Sequence, residues 1–176
     1  MTEKIIIAGF GGQGVLSLGQ FLAYAAMYEN QEATWLPSYG PEMRGGTANC
    51  SLVISDKPVA SPIIETPDCL IALNKPSLDK FINNVRPGGT VIINSSIIHD
   101  KIERTDVKAV YLEANEIAAK AGSVKTANVV VLGAYIALSG LFPKESVKGT
   151  IAKIFKKKPD VIPMNLNAFE LGYTAV

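Results

Sequence analysis

The chain has 176 residues, 48% of them hydrophobic, which is enough for one sizeable core but not two, so a single domain spanning residues 1–176 is expected. Seventeen basic against sixteen acidic residues leave a formal charge of +1, which provides no general field for nucleic acid or an anionic membrane. Only Cys50 and Cys69 are present; without a CxxC pair they cannot supply the clustered thiolates of a zinc or iron–sulfur site, and both are expected in or near the core.

From the N-terminus, Ile5-Ile6-Ile7-Ala8 is far too short an apolar run for a signal peptide or spanning helix, so a cytoplasmic location is expected. Lys4–Ala8 instead predicts a strand that ends in glycines, and Val15–Met27 predicts a helix whose Leu18, Leu22, Ala25 and Ala26 share one buried face. A second strand is expected over Ala33–Leu36, stopping at Pro37 because proline cannot donate to a ladder. A loop follows to Gly46. Strands are then expected at Ala48–Ser55, Cys69–Leu73, Thr90–Asn94 and Lys108–Leu112, the third of these introduced by the turn Arg86-Pro87-Gly88-Gly89.

Beyond Glu113 the pattern turns helical, over Ala114–Ala121, Ala127–Leu138, Lys144–Phe155 and Leu166–Tyr173. The segment Val129–Leu138 is apolar all round, which marks it as core or interface. Lys156-Lys157-Lys158 closes the third of these helices, where positive charge suits a helix C-terminus and a solvated face is its simplest use. The fold class expected is therefore α/β: a three-layer, Rossmann-like domain with a largely parallel or mixed sheet and a helical C-terminal third.

Two segments carry the chemistry. Gly9-Phe10-Gly11-Gly12-Gln13-Gly14 fits G-x-G-x-x-G between a strand and a helix, where glycines permit close backbone approach and free N–H groups favour phosphate or carboxylate oxygen. The alternative use is a tight turn that lets helix and strand pack closely with no ligand. A nicotinamide nucleotide would call for an acid at the end of the second strand, but Leu36-Pro37-Ser38-Tyr39 stands there. The loop Ser38 to Cys50 is dense in glycine, hydroxyls and opposite charge. In it Arg44 offers a planar fork for carboxylate or phosphate, Glu42 can pair with Arg44 or orient a neighbour, and Tyr39, Gly45, Gly46 and Asn49 complete the candidate set. With a parallel sheet both segments would lie at one edge. No nucleophile–base pair is evident: His99, the sole histidine, stands beside Asp100 in a polar loop, and Asp68 and Asp79 are expected as loop and helix-surface residues, so no catalytic or metal-binding residue is assigned.

Ile7 to Gly14, Pro37 to Gly46, Ser61-Pro62, Pro67-Asp68, Asn128 with Leu132-Gly133-Ala134, and the late Asn165, Ala168 and Gly172 together resemble the gamma subunit of the 2-oxoacid:ferredoxin oxidoreductases, the pyruvate, ketoisovalerate and 2-oxoglutarate enzymes. The resemblance implies a separate subunit equivalent to a domain that larger members carry fused to their thiamine-diphosphate-binding domains. It implies alpha, beta and delta subunits as partners, with thiamine diphosphate and iron–sulfur clusters on those chains. The complete enzyme would decarboxylate a 2-oxoacid, reduce ferredoxin and release an acyl-coenzyme A, while the isolated chain would be inactive. Coenzyme A is implied at the glycine turn, with Gly9, Gly11, Gly12 and Gly14 approaching through backbone, Gln13 through its amide and Arg44 through charge. Two further readings stand beside this one: a purely structural subunit, and a stand-alone NAD(P)-binding protein. An exposed surface meant for partners would also favour self-association of isolated copies.

Overall fold

The computed structural model describes residues 1–38 and 47–176. Its sheet has six strands in the order β2-β3-β1-β4-β5-β6. These are β1 (Thr2–Phe10), β2 (Glu32–Ser38), β3 (Thr47–Ser55), β4 (Cys69–Ala72), β5 (Thr90–Asn94) and β6 (Lys108–Leu112). The sheet is mixed, since β1, β4, β5 and β6 run parallel while β3 is antiparallel to both β1 and β2. Each parallel partner added beside β1 brings its carboxyl end to the edge where Phe10 lies, as the register Ala8↔Ala72↔Ile93 and Asn94↔Leu112 records.

Strand alternation divides the core into two layers. Ile5, Ile7, Ile71 and Ile92 face one side, packing against α1 (Val15–Tyr28) and the helical C-terminal third. Ile6, Ala8, Leu70, Val91 and Ile93 face the other, against Leu78 of the short helix α2 (Lys75–Phe81) and Val85 and Ile98. Because β1 is covered on both faces, its sequence reads as an unbroken apolar run rather than an alternating one. The three layers are uneven: α3 (Ala114–Ala121), α4 (Ala127–Ser139), α5 (Lys144–Ile154) and α6 (Ile162–Thr174) contribute to the first side.

Several boundaries shift from the sequence expectation, and two of the shifts have a clear physical reason. β2 runs through Pro37 to Ser38, with Pro37 opposite Cys50. It is the edge strand, so the N–H that proline lacks would have pointed away from the sheet. Helix α6 begins at Ile162, four residues before the first strong apolar periodicity, with Pro163 accommodated in its first turn, where no backbone donor is needed. Helix α2 has only seven residues, too few for periodicity to announce it, and is started by Asn74, whose side chain accepts from the Ser77 N–H at 2.9 Å.

Helix α4 is core rather than interface: residues from Asn128 to Ile136 are buried. It meets α6 at very short range, because a Cβ on Gly172 would stand 1.9 Å from the Val130 carbonyl oxygen. Lys144 and Lys148 reach the two oxygens of Glu170 at 2.7 and 3.0 Å and so tie α5 to α6.

Candidate functional site

The carboxyl edge of the parallel strands is where the polar residues gather. β1 ends in a turn over residues 11–14 that feeds α1, and Gly14 caps that helix in the left-handed region at φ 75°. The first turn of α1 has neither an acidic residue nor a side-chain cap, so among the described residues no side chain pairs with its leading N–H groups. Gln13 fixes the turn from within: its Oε1 accepts from the Phe10 N–H at 2.6 Å, and its Nε2 donates to the Leu73 carbonyl at 3.1 Å. Asn128, at the start of α4, donates from Nδ2 to the Gly14 carbonyl at 3.3 Å, and a Cβ on Gly14 would collide with that side chain at 2.4 Å. Close approach and positive φ thus both exclude a side chain at position 14.

Around this turn lie two adjoining cavities. One, of about 230 Å³, is lined by Gly12, Gln13 and Leu73 with Asn94, Asn115, Lys125 and Asn128. The other, of about 380 Å³, is lined on one side by Gly12, Gly14 and Ser17 and on the other by Lys125, Thr126, Lys158 and Asn165. Asn94, at the end of β5, is buried and donates to Asn115 Oδ1 at 3.2 Å.

Of the residues singled out in the sequence, Gly11, Gly12, Gln13 and Gly14 form this turn, and Gly9 lies just before it in β1, opposite Ala48. Asn49 lies one strand away, opposite Ala8, and strand alternation sets it on the sheet face opposite that of Cys50, which packs beneath α1. Tyr39, Glu42, Arg44, Gly45 and Gly46 lie outside the described residues. The flanks of their segment are placed: Thr47 pairs with Phe10, and Ser38 pairs with Asn49, so both flanks stand at the edge that carries the glycine turn. The common edge arises from an antiparallel β2–β3 pair, not from the all-parallel arrangement the sequence argument used.

Both cysteines are buried and free. Cys50 Sγ lies 3.7 Å from the Val15 carbonyl, and burial pushes its thiol up to about 12; burial raises the Cys69 thiol as well. His99 is exposed. Asp68 is a structural acceptor, taking the Lys4 N–H at 2.8 Å and pairing with Arg86.

The sequence pattern of the family described as "Pyruvate ferredoxin/flavodoxin oxidoreductase" matches residues 4–175. The chain belongs to the pyruvate ferredoxin/flavodoxin oxidoreductase family. It is 46% identical over 171 residues to the ketoisovalerate oxidoreductase subunit VorA of Methanothermobacter thermautotrophicus, covering 96% of this chain and 35% of that protein. The chain thus spans about a third of the length of that relative. The keto/oxoacid ferredoxin oxidoreductase gamma subunit of Geobacter sulfurreducens matches over 98% of this chain and 96% of its own, with a TM-score of 0.83 and 29% identity. The 2-oxoglutarate:ferredoxin oxidoreductase of Magnetococcus marinus, solved with 2-oxoglutarate, coenzyme A and succinyl-CoA bound, matches over 99% of this chain and 31% of that one, with a TM-score of 0.90 and 25% identity.

In this member of the family, sequence reasoning found the turn but not the wall facing it. Asn94, Asn115 and Lys125 come from strand ends and helix starts far apart in the chain, and no local spacing links them to Gly12. Lys158, assigned to a solvated run, lines the larger cavity. One signal was available: open α/β sheets gather polar residues just beyond the carboxyl ends of their strands, which is where Asn94 and Asn115 fall. The assembled groups are amides, hydroxyls, backbone N–H and lysine, a set suited to binding anions rather than to moving protons.

Proposed function

We propose that this chain is a gamma-type subunit of a 2-oxoacid:ferredoxin oxidoreductase and that its glycine turn forms part of the coenzyme A surface. The observation that carries the reading is the match of 98% of the chain with the Geobacter gamma subunit. The cavities beside residues 11–14 add support, since they offer anion-binding groups with no general base among the described residues. Coenzyme A, bound in the related Magnetococcus enzyme, carries the phosphates such a surface would hold. Decarboxylation on thiamine diphosphate and electron transfer through iron–sulfur clusters to ferredoxin fall to alpha, beta and delta partners. Buried, high-pKa thiols make Cys50 and Cys69 poor cluster ligands. The relatives point to ketoisovalerate or 2-oxoglutarate as the substrate of the complex.

The partner surface would include α1, where Tyr24, Met27 and Tyr28 are 48, 64 and 66% exposed at helical spacing, since aromatic and Met side chains are enriched at interfaces. The nicotinamide alternative is disfavoured by topology: β3 lies between β1 and β2, so the end of β2 is not beside the glycine turn, and Leu36-Pro37-Ser38 has no acid for a ribose. Among the described residues no single helix is long and apolar enough to cross a membrane.

Purifying the native complex through a tag on this chain, then screening 2-oxoacids with a viologen dye as acceptor, tests the reading. Coenzyme A-dependent dye reduction by a complex that retains the chain is the expected result. Turnover by the tagged chain free of partners, or its recovery with no oxidoreductase subunits, would contradict it.

A further inference from the structure

We propose that Lys125 and Lys158 are the two cationic anchors of a bilobed cavity beside the glycine turn, selecting an elongated ligand that bears two separated phosphate groups. The inference rests on the coenzyme A reading above and names the side chains that would meet the ligand's charge. The two cavities share Gly12, Lys125 and Asn128 in their walls and so adjoin at Lys125. Among the described residues neither has an Asp or Glu in its wall. In a chain with seventeen basic and sixteen acidic residues, two lysines lining adjoining cavities in which no described residue is acidic mark a local segregation of charge, and a concave site focuses the resulting field.

The backbone that bears Lys125 is held in place from both sides. Ser123 Oγ accepts the Lys125 N–H at 3.2 Å, and Thr126 Oγ1 donates back to the Ser123 carbonyl at 2.8 Å. Three residues on, Asn128 fastens the start of α4 to Gly14. The Lys125 side chain is exposed and makes no ion pair with any described residue, as is true of Lys158. Lys158 lines only the larger lobe, on a short turn whose Lys158 N–H reaches the Phe155 carbonyl at 2.8 Å. A phosphate lodged at the turn would therefore meet the leading N–H groups of α1 together with Lys125, while a second phosphate would have to extend along the larger lobe to meet Lys158. In coenzyme A these correspond to the pyrophosphate and the 3′-phosphate.

Steady-state kinetics of the assembled enzyme, with coenzyme A and dephospho-coenzyme A as the varied substrates, separates the two roles. Lys125→Ala should raise the apparent KM for both about tenfold, with kcat changed less than about twofold, the size expected for one lost charge-assisted contact. Lys158→Ala should raise the KM for coenzyme A about tenfold but that for dephospho-coenzyme A less than about twofold. Lys157→Ala, on the neighbouring surface, should change neither, and thermal melts of each variant check that the fold is intact. Unchanged KM in both lysine variants, in a complex that still saturates with coenzyme A, overturns this inference and leaves the coenzyme A reading standing. A parent complex indifferent to coenzyme A overturns that reading itself.

Discussion

Gln13 shows how one side chain can hold a glycine turn in shape. Its amide joins the Phe10 N–H to the Leu73 carbonyl and so locks the β1 turn to the end of β4. Gln13→Leu should strand both backbone groups and cost about 1–3 kcal/mol, measurable by urea denaturation. A Gln13→Leu protein of unchanged stability would show that the amide is dispensable. A second residue-scale consequence lies at the opposite edge of the sheet. Glu3 has its carboxyl pushed above the usual range, first by burial and then by Asp68, against an opposing hydrogen bond from Tyr135. The folded state therefore favours neutral Glu3, and ionisation as pH rises through the raised pKa weakens the fold. Glu3→Gln should be more stable than the parent at neutral pH, with the difference shrinking below the ordinary carboxylate range. Melting temperatures that differ equally at both pH values would contradict that origin.

At the scale of elements, the tightest constraint is the crossing of α4 and α6. A methyl group at position 172 would stand 1.9 Å from the Val130 carbonyl oxygen, so Gly172→Ala must push the helices apart. A loss of roughly 3 kcal/mol in chemical denaturation is expected, and a change below about 0.5 kcal/mol would mean the helices separate freely. At the start of α2, Asn74→Ala should cost about 1 kcal/mol through the lost cap on Ser77. These elements also show what the sequence made legible. The long periodic ones, α1, α4 and the parallel strands, were readable because burial on one or both faces writes itself into residue spacing. Pro37 misled because edge position is a property of the sheet, not of the strand. The glycine turn was readable because its chemistry is local, whereas the wall formed by Asn94, Asn115, Lys125 and Lys158 depends on how distant elements dock.

For the whole molecule, the uneven layering assigns different work to different surfaces. The helical C-terminal third is packed on the face that α1 shares, where its helix starts and turns close over the glycine turn. The stripe of Tyr24, Met27 and Tyr28 remains outside the fold. Charged substitutions within α4 would unfold the chain, so a purely structural role is better probed on that stripe. Tyr24→Glu with Tyr28→Glu should leave the melting temperature near that of the parent and weaken co-purification with the partner subunits. The central claim, that the turn over residues 11–14 is a coenzyme A surface, is tested most directly by amide-resolved NMR of the labelled chain titrated with coenzyme A. The account predicts saturable shifts at Gly12, Gly14, Val15 and Lys125. Shifts confined to residues remote from the carboxyl edge of the sheet, or none at saturating ligand, would contradict it.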